Sequence, residues 1–72
     1  MKFGQRLSNL RNEKGLTQKE LAEIFGTTER NIRFYEGGDR HPSFDGLIAI
    51  AEYFGVSIDY LVGRTDKREV NR

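Results

Sequence analysis

The stretch from Thr17 to Gly38 constrains this chain more than any other, because two helix starts stand only a few residues apart with one glycine between them. Thr17-Gln18-Lys19-Glu20 has the S/T-x-x-E form of a capping box, in which the threonine caps one free amide and the glutamate reaches back to another. The helix that begins there carries Leu21, Ala22, Ile24 and Phe25. Gly26 follows it and takes the positive φ of a sharp C-terminal turn at little cost. Thr27 or Thr28 then caps a further helix, which Gly37-Gly38 ends. Helices joined by so short a turn cross steeply and approach closely, so a small residue is needed at the crossing, and Ala22 is in place. Ile32 and Tyr35 are expected to anchor the second of these helices over Leu21 and Phe25. Its other face stays free, and near its N-terminal half it presents Thr28, Glu29, Arg30, Asn31, Arg33 and Phe34.

The rest of the chain supplies three more helices. Phe3, Leu7 and Leu10 share one face of a first helix, and Gly15 ends it. Arg40-His41-Pro42 forms a loop, and Ser43 with Asp45 starts a fourth helix whose apolar face is Leu47, Ile48, Ile50, Ala51 and Phe54. Gly55-Val56-Ser57 leads to a short fifth helix with Ile58, Leu61 and Val62 directed inward. Strand signals are absent. The expectation is an all-α domain over residues 1–64, followed by a polar C-terminal tail at 65–72. Tyr53 and Tyr60 lie beside core positions, where packing is the default; with Phe44 they are candidates for a dimer seam.

Composition narrows the functional classes. A chain of 72 residues buries only about 60% of its unfolded surface, so a single compact core is required. Without cysteine there is neither a disulfide framework nor a thiolate zinc site, which points to a reducing, cytoplasmic compartment. No apolar run approaches the roughly 18 residues of a membrane span. The net charge is only +1, but its distribution is uneven: between His41 and Gly63 there is no Lys or Arg, only Asp45, Glu52 and Asp59. His41 is the sole histidine and reads as a loop residue, not a metal ligand. No nucleophile, base and orienting group can be assembled and no glycine-rich phosphate loop is present, so the reading is a non-enzyme with no cofactor and no small-molecule substrate.

Four stretches together, Gly15-Leu-Thr-Gln-Lys-Glu-Leu-Ala22, Gly26-Thr-Thr-Glu-Arg-Asn-Ile-Arg-Phe-Tyr-Glu-Gly37, Arg40-His-Pro-Ser43 and Phe54-Gly-Val-Ser-Ile-Asp-Tyr-Leu61, resemble the Cro/phage-repressor, or XRE-like, helix-turn-helix family. They are distributed from Gly15 to Leu61, in order and at the expected spacing. The resemblance implies a compact five-helix, lambda-repressor-like fold with the helix-turn-helix at helices two and three. It implies a sequence-specific regulator of transcription, a repressor, that reads the major groove of double-stranded DNA with the helix at about 28–36. Gln18 matches a glutamine that bridges phosphate and a base or a recognition-helix side chain. Thr28, Glu29 and Arg30 match the start of the recognition helix, where Arg30 suits a bidentate contact to guanine. Asn31 and Arg33 lie on the same helix. Phe34 stands where relatives place a polar base-reading residue and suits either a thymine methyl or the edge of the core.

Arg11 and Arg40 flank the motif and are expected to hold phosphates. Glu29 and Gly38-Asp39 depart from the family pattern, the first by adding negative charge and the second by lacking a basic loop residue. The family also implies a homodimer on a palindromic operator, joined through residues from Val56 to Arg64. Two other readings share the fold: an antitoxin or adaptor that binds protein, and a piece of a longer regulator.

Overall fold

Side-chain hydroxyls set where four of the five helices begin. In the computed structural model, which describes residues 2–69, the elements run α1 Phe3–Glu13, α2 Gln18–Phe25, α3 Glu29–Gly37, α4 Phe44–Phe54 and α5 Ile58–Leu61, with no strand among the described residues. Thr17, Thr28, Ser43 and Ser57 each sit in extended backbone one residue ahead of a helix and accept the amides of Glu20, Asn31, Gly46 and Tyr60. At Thr17 the box is complete, since the Thr17 amide donates to Glu20 Oε1 at 2.9 Å and the Glu20 amide to Thr17 Oγ1 at 3.0 Å. Thr28, not Thr27, caps α3.

The turn between α2 and α3 rests on Gly26, whose φ is +65° and which lets the Thr27 amide close onto the Ala22 carbonyl at 2.9 Å. Open space surrounds its Cα, so any other residue there would be disfavoured by conformation and not by collision. Leu7 of α1, Leu21 of α2, Ile32 of α3 and Leu61 of α5 are fully buried, with Ile50 and Ala51 of α4 completing the centre. α1 packs on α3 and α5, α2 on α3, and α4 on α5.

The last helix meets its expected phase in part, since Leu61 is buried and Ile58 packs partly against the core. Ile58 and Val62 are nevertheless only half-buried, and Val56 and Tyr60 take the inner positions. α5 is a single turn, so the residue before its cap contributes as much to the core as the helix itself. Tyr60 is therefore withdrawn from any dimer seam, whereas Phe44 and Tyr53 remain exposed.

Thr65, Asp66 and Arg68 bond back to the helices and to the residue that caps α5. Arg68 donates from Nη1 and Nη2 to both carboxylate oxygens of Glu13 and from Nε to the Tyr60 hydroxyl, and its carbonyl accepts the Ser57 amide at 2.9 Å. Arg6 bonds the Thr65 carbonyl and Asp66 while its guanidinium lies 4.0 Å from the centre of the Tyr60 ring. Residues 70–72 of the sequence-defined tail lie outside the described residues.

α1 meets the end of α3 at Gly4, which sequence periodicity did not single out. A Cβ on Gly4 would sit 2.5 Å from the Glu36 carbonyl oxygen and 2.7 Å from that of Tyr35. Helix propensity alone favours Gly4→Ala by about 1 kcal/mol. Backbone collision opposes it, so the expected outcome in urea unfolding is net destabilisation of about 1–3 kcal/mol; a stabilised variant would refute the close crossing.

Two carboxyls titrate below the ordinary glutamate range: Glu13 chiefly through its hydrogen bonds from Arg68, and Glu20 chiefly through the backbone amide of Thr17. With folded-state values depressed, the stability each contributes is present at neutral pH and is lost as the pH falls through those values. Arg68→Ala should return Glu13 to the ordinary range in an NMR titration and leave Glu20 low. An unmoved Glu13 would mean that Arg68 does not dock there.

Candidate nucleic-acid interface

α3 has one face committed to the core and one facing solvent. Ile32 is 1% exposed and Tyr35 packs partly against the core, whereas Thr28, Glu29, Arg30 and Arg33 are exposed and Asn31 and Phe34 are half-buried. Glu29, Arg30, Asn31, Arg33 and Phe34 thus belong to one short helix capped by Thr28, with Arg40 folded alongside from the loop that follows. Glu29 and Arg33 form an exposed i, i+4 ion pair at 3.6 Å, so the carboxylate that departs from the family pattern partly neutralises one of the cations.

Three of the expected contact residues are occupied within the fold. Asn31 donates from Nδ2 to the Thr27 hydroxyl at 3.0 Å and to the Tyr35 hydroxyl at 2.9 Å, and its Oδ1 accepts from Arg40 Nη1 at 3.3 Å. Both of its side-chain donors are spent, one tying the helix to the preceding turn at Thr27 and one within α3 on Tyr35. Arg11 grips Glu36 with Nε at 2.7 Å and Nη2 at 3.1 Å and donates from Nη1 to the Leu16 carbonyl at 2.8 Å. Glu36 hydrogen bonding holds the Arg11 pKa above the ordinary arginine value, so this cation carries its charge at every accessible pH. Gln18 Nε2 donates to the same carboxylate at 3.1 Å. Glu36 therefore ties α1, α2 and α3 together, and Gln18 keeps its amide oxygen for other partners.

Glu36 was not among the site residues read from the sequence, although a signal was present. A carboxylate in the last turn of a helix opposes the macrodipole, and nothing local stabilises it there. A partner from elsewhere in the chain is the physical reason for such a residue.

Around this braced helix the remaining chemistry is cationic and partly aromatic. Arg30 and Arg40 bring their guanidinium carbons 5.3 Å and 4.5 Å from the centre of the Phe34 ring. Among the described residues no cluster of His, Cys, Asp and Glu could hold a metal, and no helix is long and apolar enough to cross a membrane.

The Arg11–Glu36 pair has side chains only 14% and 8% exposed, so removing one partner strands a nearly buried charge. Arg11→Ala should cost about 3 kcal/mol in urea unfolding, whereas Arg11→Met with Glu36→Leu should recover most of that loss. A single variant as stable as the parent would show that Arg11 is free for another role.

Comparison with known proteins agrees with this geometry. A family model described as helix-turn-helix matches residues 7–61. The HTH-type transcriptional regulator ImmR of Bacillus subtilis is 37% identical over 71 residues, which are 99% of this chain and 56% of that protein. The cryptic phage CTXphi transcriptional repressor RstR of Vibrio cholerae is 35% identical over 71 residues, or 96% of this chain and 63% of the relative. A crystal structure of a transcriptional regulator from Listeria innocua superposes with a TM-score of 0.82 at 37% identity, covering 97% of this chain and 64% of that one. The chain thus spans somewhat more than half the length of these relatives. With most of its length matched and the helix-turn-helix in place at α2 and α3, the chain belongs to the XRE-type helix-turn-helix family of transcriptional regulators.

Proposed function

We propose that this chain is a sequence-specific regulator of transcription acting in the cytoplasm, a repressor, and that it binds double-stranded DNA by laying α3 in the major groove. The observation that carries this reading is α3 itself. It is anchored from behind by Ile32 and Glu36 while Thr28, Glu29, Arg30, Arg33 and Phe34 face outward with Arg40 beside them. Arg30 suits bidentate donation to guanine, and Gln18 stands at the first turn of α2 with an amide oxygen to spare. Arg11 and Asn31 act by positioning, through the bonds that hold α3 in place. Relatives named as regulators, among them a phage repressor, favour the same class.

A helix of nine residues is about 13 Å long and spans about four base pairs. Two protomers on a palindromic operator, with half-sites about one helical turn apart, supply the missing specificity. A groove between α4 and α5, lined by Ile48, Ala51, Val56 and Ile58 together with Glu52, Ser57 and Asp59, supports a homodimer contact at that end of the domain.

The test is selection from random duplex DNA, followed by titration of the selected and of random duplexes across a salt series. Affinity should fall steeply with salt for both, and the selected site should show two-fold symmetry. Arg30→Ala should relax preference at one base pair per half-site at a cost of about 1–3 kcal/mol, with a smaller loss on random DNA. No retained duplex at any salt would overturn the proposal and favour a protein-binding use of the fold.

A further inference from the structure

Phe34 is half-buried, yet it is not among the apolar side chains that pack against the core. Its cover comes from two guanidiniums, Arg30 at 5.3 Å and Arg40 at 4.5 Å from the ring centre. An aromatic ring on the outward side of a recognition helix offers no hydrogen bond to a base edge. What it offers is an apolar contact, and in the major groove the apolar feature of a base pair is the C5-methyl of a pyrimidine.

Arg40 completes the arrangement. It belongs to the loop before α4, a place from which an extended side chain would reach phosphates. Instead its Nη1 donates to Asn31 Oδ1 at 3.3 Å, and Asn31 is itself held by Thr27 and Tyr35. The guanidinium is thereby drawn onto α3 over Phe34, with Nε and Nη2 still available as donors. Guanidinium-to-ring distances of 4.5 and 5.3 Å lie between one and two base-pair steps of roughly 3.4 Å. A methyl on the ring and a guanine one step away can therefore be met together.

We propose that Arg30, Phe34 and Arg40 form one reading unit, specific for a 5-methylpyrimidine next to a guanine in each half-site, in which Phe34 takes the methyl and Arg40 reads instead of merely holding the backbone. The inference rests on α3 entering the major groove, and it names what this part of the helix recognises there.

The experiment replaces each thymine of the selected operator, one at a time, by deoxyuridine, which removes only the methyl. At one thymine per half-site, adjacent to a guanine, affinity should fall about fourfold, the worth of one buried methyl group. 5-Methylcytosine should exceed cytosine at that position by a similar factor. In Phe34→Ala both ratios should shrink to about one, and Phe34→Gln, closer in volume and without the apolar face, should behave alike. Arg40→Lys keeps the charge but loses the planar fork, so it should weaken the operator several-fold more than random duplex while the salt slope stays the same. The unit is overturned if no thymine responds to loss of its methyl, if the response survives in both Phe34 variants, or if Arg40→Lys weakens operator and random duplex equally. A parent chain that retains no duplex at all would instead overturn the groove-binding reading on which the unit rests.

Discussion

The Glu36 carboxylate is the point on which the arrangement of the helix-turn-helix depends. It lies near the end of α3 and receives two bonds from Arg11 of α1 and one from Gln18 of α2. A nearly buried ion pair is a poor source of net stability, because desolvation of both charges offsets their attraction. What such a pair does well is select one geometry. The fork of Arg11 admits one orientation of the carboxylate, and Gly4 permits α1 to approach the α3 backbone closely enough for the fork to reach. Apolar packing around Ile32 determines that α3 is held, and the Glu36 cluster determines how it is rotated and where it ends.

The same cluster alters how the cations of the molecule are counted. Of the arginines near α3, Arg11 is neutralised within the fold and Arg33 is partly neutralised by Glu29, leaving Arg30 and Arg40 on the outer side of the helix beside Phe34. The net charge of +1 does not describe how the cations lie: Arg30 and Arg40 stand on the outer side of α3, while the segment from His41 to Gly63 has no Lys or Arg and its charged residues are all acidic.

At the far end of the domain, Tyr60 has an equivalent organising position. Its ring is buried, Arg6 and Arg68 both lie within 5.2 Å of its centre, and its hydroxyl accepts from Arg68. α5 is one turn long and has little surface of its own to bury. The residues after it supply that surface, so that Thr65 to Arg68 belong to the packed body and connect α5 back to α1.

Local chemistry determined most of the fold from the sequence alone. Caps, left-handed glycines and the spacing of apolar residues act within a few positions along the chain, which is why the five helices, the Thr17 box, the Gly26 turn and burial of Ile32 were all legible there. The outward set from Thr28 to Phe34 was legible for the same reason, since it follows from helical phase once Ile32 is placed inside. What only the tertiary structure decided is which polar side chains are free. Nothing in the spacing of Arg11 and Glu36 marks them as partners, and neither the engagement of Asn31 by Arg40 nor the docking of Arg68 on Glu13 has a local signature. Such pairings join residues brought together by the crossing of helices. A charged group is assigned to solvent, to a ligand or to another side chain only when the fold settles what lies within 3 Å of it.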